Sequence, residues 1–130
     1  MILVDTSVWI DHLHSAEPLL QRALEVDQVA VHPFVVAELA LGSIARRGEV
    51  LGLLANLRQA ASLTPEELLS FVDAHQLWGR GLSLVDAHLL GSVTLMPRWQ
   101  LWTRDKRLTS AANELLVPTF DDVRTTEQEG

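Results

Sequence analysis

A chain of 130 residues, 48% hydrophobic and 21% charged, is long enough to close a hydrophobic core without staples and is expected to fold as one domain. It contains no cysteine, which excludes disulfides, thiolate nucleophiles and zinc–thiolate sites and accords with a cytoplasmic setting. The formal charge of −7 argues against binding nucleic acid through the whole surface. No secretion signal is expected from the first residues, and no apolar run approaches the about 18 residues of a membrane span, so no membrane partner is expected.

Ile2-Leu3-Val4 reads as a buried strand. Asp5-Thr6-Ser7 then supplies N-cap chemistry for a helix carrying Val8, Trp9, Ile10 and Leu13, which places Asp5 at a strand-to-helix switch. A helix over 18–25 and a short strand over 29–31 follow. Pro33, preorganised for a first helical turn, opens a helix that bears Glu38 and runs to about residue 45, where Arg46-Arg47-Gly48 ends it. A leucine-rich helix is expected over 49–60. Thr64-Pro65-Glu66-Glu67 is a strong start signal for the next, which extends to about residue 78 and is broken by Gly79-Arg80-Gly81. Ser83 caps the following helix and puts Asp86 in its first turn, where the macrodipole favours a negative charge. A strand over 100–103, a helix over 105–114 and a last short strand at Leu116-Val117 complete a domain over 1–124, before a polar tail over 125–130.

Strands alternating with helices, without hairpin signals, imply an α/β fold with a mainly parallel central sheet flanked by helices on both faces. Ligands in such folds bind at the carboxyl ends of the strands. Asp5 and Asp105 belong at that edge, and Glu38 and Asp86 are expected in opening turns of helices that can point to it.

These four acids are also the ones in unusual settings. Asp5 closes an apolar run, Glu38 is the lone charge in 34–41, Asp86 interrupts 82–90 and Asp105 ends Leu101-Trp102-Thr103-Arg104. Carboxylates are rarely buried unless paired or bound to a metal. Each has a plainer role available, because Asp5 and Asp105 can cap helices and Asp86 can complement a dipole; their co-occurrence favours a joint one. Crowded carboxylates repel each other, and a hard, oxygen-seeking cation removes the conflict. An all-carboxylate set suits Mg²⁺ or Mn²⁺ better than zinc, and such ions activate water for attack on a phosphodiester.

The other residue types offer less. His12 and His14 do not share a helix face, His75 lies in a polar helix, His32 precedes a proline, and only His88 lies near a candidate acid. The four tryptophans read as core or interface anchors rather than base-stacking platforms. Arg46, Arg80, Arg104, Lys106 and Arg107 are candidates for a basic rim around the acids, with ordinary solvated charges as the plainer reading.

Val4-Asp5-Thr6-Ser7-Val8-Trp9, Val36-Ala37-Glu38-Leu39, Leu82-Ser83-Leu84-Val85-Asp86-Ala87 and Trp102-Thr103-Arg104-Asp105, in this order and over residues 1 to about 120, resemble the PIN-domain ribonucleases, and more closely the VapC-type toxins of toxin–antitoxin pairs. The resemblance implies a PIN-like fold, with Asp5, Glu38, Asp86 and Asp105 as the metal-binding, catalytic acids and hydroxyls of Thr6 and Thr103 supporting them. It further implies Mg²⁺ or Mn²⁺ dependence, endonucleolytic cleavage of RNA, a homodimer and a cognate VapB-like antitoxin. Leu51, Leu54 and Leu57 are expected at the dimer contact, as apolar residues one small sheet can hardly cover. A catalytically silent PIN-like binding module is the alternative. Haloacid-dehalogenase phosphatases fit less well, since they need an Asp where Ser7 stands, as do phospho-receiver domains, which want a late-strand lysine where Lys106 instead follows Asp105.

Overall fold

The computed structural model describes residues 1–122; the polar tail expected over 125–130 lies outside them. Four short strands, β1 (Ile2–Val4), β2 (Val29–Val31), β3 (Arg58–Gln59) and β4 (Gln100–Trp102), form one sheet in the order β3-β2-β1-β4. Every pairing is parallel, with Ile2 opposite both Val29 and Gln100, and Ala30 opposite Arg58. β1, β2 and β4 read as apolar runs because the interior of a covered parallel sheet is buried on both faces. Leu3, Val4, Ala30, Val31, Leu101 and Trp102 are accordingly inaccessible to solvent. β3 is a two-residue, fully exposed edge of Arg and Gln, a composition that discourages pairing with another chain.

Among the described residues seven helices surround the sheet: α1 (Thr6–His14), α2 (Pro18–Glu25), α3 (Pro33–Leu41), α4 (Arg47–Ala55), α5 (Pro65–His75), α6 (Leu84–Leu95) and α7 (Lys106–Glu114). The cap chemistry read from the sequence sets most of their starts. Thr64 and Glu67 close a capping box on α5, and Ser83 and Asp86 close another on α6. Pro33 opens α3, while the buried His32 caps it by accepting the Phe34 N–H at Nδ1.

Four features differ from expectation, among them the end of α5, which lies at His75 rather than near 78. α3 stops at Leu41 rather than near 45, where Gly42 leaves the helical conformation. α4 ends at Ala55 so that the chain can return to the sheet as β3. Leu116-Val117 forms no strand: Leu116 takes a left-handed conformation, and the chain just beyond makes an isolated parallel bridge between Leu101 and Thr119.

Burial also corrects the expected dimer contact on α4. Leu54 is only 2% exposed and belongs to the core, with Leu51 and Leu57 packed against it; Leu53, at 69%, is the leucine that α4 turns outward. Of the tryptophans, Trp9, Trp99 and Trp102 are core residues, whereas Trp78 is exposed.

Candidate active site

In this strand order β1 and β4 are neighbours whose connections leave in opposite directions, which opens a crevice at their carboxyl ends, the usual ligand position of such sheets. Asp5 follows β1 there. Its N–H donates to the Trp102 carbonyl across the crevice at 2.9 Å, and its carboxylate is 5% exposed at the residue level. Three donors fix that carboxylate: the Thr6 N–H at 2.7 Å, the Thr103 hydroxyl at 2.7 Å and the Ser7 hydroxyl at 3.1 Å. Burial nevertheless raises its pKa, with the Asp86 charge adding to the rise against those hydrogen bonds.

Asp86 stands in the first turn of α6, its Oδ2 accepting the Ser83 N–H at 2.9 Å. Its pKa is also raised, by burial above all, with the charges of Asp105 and Glu38 adding to the rise against the Ser83 hydrogen bonds. Asp105 caps α7, where Oδ1 accepts the N–H groups of Arg107 and Leu108 at 2.8 and 3.0 Å. Its own N–H donates to the Thr103 hydroxyl, so one threonine links Asp5 to Asp105. Glu38 lies in the second turn of α3 rather than the opening one, and it is exposed. It accepts the Thr6 hydroxyl at 2.8 Å.

Asp5 and Asp105 cap helices and Asp86 closes the capping box of Ser83, and the same contacts bring three carboxylates to one edge of the sheet. Thr6 holds Glu38 through its hydroxyl, and Asp5 through its N–H; Ser7, which the sequence reading passed over, takes the second Asp5 hydroxyl contact. Among the described residues no lysine or arginine forms an ion pair with any of the four acids.

Whether a cation fits is decided by the oxygens. The set is all carboxylate, and Asp86 Oδ1, Asp105 Oδ2 and Glu38 Oε2 have no hydrogen-bond partner among the described residues. Hard oxygen donors with lone pairs to spare suit Mg²⁺ or Mn²⁺. Yet among the described residues no three acidic or histidine side chains stand close enough together to ligate one ion. The acids are near enough to feel each other's charge and too far apart for joint direct ligation.

His88 does not join them. Its ring packs 4.5 Å from Phe34 and 5.5 Å from His32, facing an aromatic cluster behind α3. The five basic rim candidates separate into three groups. Arg46 is exposed, in a left-handed conformation at the start of α4. Arg80, Lys106 and Arg107 line one cavity with Ser110.

Arg104 is the correction. Its side chain is only 14% exposed, and the guanidinium is held by Asp11 at 2.6 Å, by Glu17, and by the buried Asp122 at 3.3 Å. Asp122 also accepts the Trp102 indole N–H at 2.7 Å. Arg104 thus ties α1, the α1–α2 connection and the segment after α7 together, and its fork is spent on that tie rather than on a free rim.

A parallel sheet in this order, wrapped by helices with acids at its switch point, is the α/β architecture of the PIN-like fold. The crystal structure of PAE2754 from Pyrobaculum aerophilum superposes with a TM-score of 0.57 over 97% of this chain and 95% of that one, at 18% identity, a likeness of fold. No protein-family model matches the chain. It is 54% identical over 123 residues to ribonuclease VapC32 of two Mycobacterium tuberculosis strains, CDC 1551 / Oshkosh and ATCC 25618 / H37Rv, covering 95% of this chain and 99% of each relative. The chain belongs to the VapC family of PIN-domain ribonucleases.

Proposed function

We propose that the chain is a metal-dependent endoribonuclease, the toxin of a toxin–antitoxin pair, in which Asp5, Glu38, Asp86 and Asp105 hold Mg²⁺ or Mn²⁺. The observation that carries the reading is electrostatic. Burial and repulsion from neighbouring acids raise the pKa of Asp5 and Asp86, while among the described residues no basic side chain pairs with either. A fold keeps such an arrangement at a cost in stability, and a bound cation would relieve it.

The spacing of the acids sets how they would bind. Mg²⁺ keeps several of its waters and takes one or two carboxylates directly, so side chains that do not converge as a direct cage still serve as ligands through water. When bound, the ion would lower the pKa of a water and stabilise negative charge on the phosphodiester. The residues of the chain do the positioning. Thr103, Ser7 and the Thr6 N–H fix the Asp5 carboxylate; Thr6 holds Glu38 beside it; Ser83 holds Asp86; and the Thr103 hydroxyl keeps the Asp105 backbone in register with Asp5.

RNA is the substrate in this reading. The regulator is a VapB-like antitoxin, and the toxin is a homodimer. A cleft of about 400 Å³ between α1 and α3 is lined by Ile10, Leu13, Leu39 and Ile44, and by Glu38 of the acid set. An apolar antitoxin segment laid there would deliver an arginine to the acids, whose planar fork binds carboxylates as a metal otherwise would. Incubation of the purified chain with an end-labelled RNA tests the activity. Cleavage with Mg²⁺ that stops in EDTA and is lost in Asp5→Asn is expected. Asn is as good an N-cap as Asp, so this variant removes the charge and keeps the helix start. Equal cleavage by wild type and Asp5→Asn, or cleavage that persists in EDTA, would leave the binding-module alternative.

A further inference from the structure

The chain carries seven more acidic than basic residues, yet Arg80, Lys106 and Arg107 meet around a single cavity of about 280 Å³ with the Ser110 hydroxyl. They come from two segments that each lead into the acid site. Arg80 belongs to the loop running from α5 into the Ser83–Asp86 capping box, and Lys106 and Arg107 directly follow Asp105. Local backbone conformation brings the two segments together. Gly79 and Gly81 both take positive φ, at 71° and 77°, a region in which side chains with a Cβ are strained. A Cβ at Gly81 would also stand 2.7 Å from Nη1 of Arg107 and 3.1 Å from its Cδ and Cζ. Gly81 is therefore the floor on which the Arg107 guanidinium lies.

Among the described residues one acid forms an ion pair with a side chain that lines the pocket. Glu114 pairs with Arg80 Nη1 at 2.8 Å, with both groups partly open to solvent, which steers the guanidinium while engaging only part of its fork. Lys106, Arg107 and Ser110 are exposed and form no ion pair among the described residues. Two planar forks, one ammonium and one hydroxyl around a small open cavity make a donor set for a tetrahedral anion.

We infer that Arg80, Lys106, Arg107 and Ser110 form a binding site for an internucleotide phosphate of the RNA, beside the one that is cleaved. This rests on the ribonuclease reading, because the acid cluster repels a polyanion and the pocket offsets that repulsion on both segments that lead to Asp86 and Asp105. Phosphate contacts fix the register of a strand without reading its sequence. The pocket accordingly sets where the backbone lies and leaves base choice to other residues.

The test uses the Asp5→Asn chain with Mg²⁺, so that RNA binds uncleaved, and follows the fluorescence anisotropy of a labelled single-stranded oligoribonucleotide across a range of salt. Arg107→Gln with Lys106→Gln should weaken binding about tenfold for different sequences alike and lower the slope of log K against log salt by about 0.7, the value for one lost phosphate contact on a single strand. Glu114→Gln, which frees the Arg80 fork, should tighten binding. In the otherwise wild-type chain the double variant should raise KM with kcat nearly kept, because the contact is made equally in ground and transition states. Both substituted side chains are exposed, and circular dichroism checks that the fold is kept.

Unchanged affinity and slope in the double variant would overturn the pocket, and if the wild type still cleaves RNA the ribonuclease reading stands. A wild type that does not cleave, together with a lowered slope in the variant, would remove that reading and keep the phosphate site. Displacement of the RNA by millimolar inorganic phosphate at constant ionic strength, seen with the parent chain and not with the double variant, would make it a free-anion site and overturn the assignment to RNA.

Discussion

Replacing Arg104 by methionine separates a structural arginine from a substrate-binding one. The three carboxylates it holds are unequal. Asp11 has a side chain 39% exposed, and an ion pair there contributes little; Glu17 is 17% exposed; Asp122 is 1% exposed and has nowhere to find water. Removing the guanidinium takes a charged partner from a carboxylate whose side chain is 1% exposed, and breaking a buried pair from one side costs about 3–5 kcal/mol. Asp122 keeps the Trp102 indole N–H at 2.7 Å, and its contact with Arg104 is a long 3.3 Å, so the lower end, about 3 kcal/mol, applies. For a domain of this size that lowers Tm by about 10 °C. Thermal and urea unfolding followed by circular dichroism give the number. Adding Asp122→Asn to Arg104→Met should recover part of the loss, since the buried charge that the guanidinium had balanced goes with it. RNA affinity of the folded variant should stay near wild type. A Tm within about 2 °C of wild type together with weakened RNA binding would refute the reasoning, because the guanidinium would then serve the rim and not the tie.

Without metal, Asp86→Asn should be more stable than wild type, since burial and the charges of Asp105 and Glu38 raise the Asp86 pKa despite its bond from Ser83. Adding Mn²⁺ at about 100 times its Kd should stabilise wild type by about 2.7 kcal/mol and the variant much less; equal melting shifts would count against metal at these acids. His32 is fully buried, accepts the Phe34 N–H at Nδ1 and has its pKa lowered to about 4 from 6.5, by burial first and the neighbouring His88 second. A depressed pKa contributes stability that is present above pH 6.5 and lost as pH falls towards 4, by up to about 3 kcal/mol. His32→Asn, which can keep the cap acceptor, should flatten that part of the stability–pH curve, and an unchanged curve would dismiss His32 as its source. Gly81→Ala should cost about 1 kcal/mol for its positive φ and also lower RNA affinity by displacing Arg107, whereas a stability loss with unaltered affinity would detach the loop from the pocket.

The elements that bear the candidate acids were the most legible in the sequence because their signals are local. An apolar triplet, a capping residue and a proline at the first helical turn fix where β1, α1, α3, α6 and α7 begin; Asp5 and Asp105 are themselves N-caps, and Asp86 completes the capping box of Ser83. What was not legible depends on distant partners. β3 is two polar residues without hydrophobic periodicity, and pairing with β2 alone makes it a strand. Leu51, Leu54 and Leu57 looked like surplus apolar surface because sequence spacing does not say which stripe of α4 meets the sheet; packing gives Leu54 to the core and turns Leu53 out. Arg104 adjoins a candidate acid and so read as rim, and only the fold brings Asp11, Glu17 and Asp122 around it. Arg80 and Arg107 lie 27 positions apart and share a cavity because Gly81 leaves room for one beside the other's loop. Ser7 would have been found by asking which hydroxyl, two residues after an N-cap aspartate, can turn back to it.

The proposal that four separated carboxylates act as one metal site is tested most directly by Mn²⁺ titration of the metal-free chain, reading the free-ion signal by electron paramagnetic resonance. The titration compares wild type with Asp5→Asn, Glu38→Gln, Asp86→Asn and Asp105→Asn. Saturable binding to wild type, weakened about tenfold or more in each of the four variants, is the predicted result, because direct ligands and those acting through water both contribute to holding the ion. Wild-type affinity in all four variants, or no saturable binding by the wild type, would contradict it.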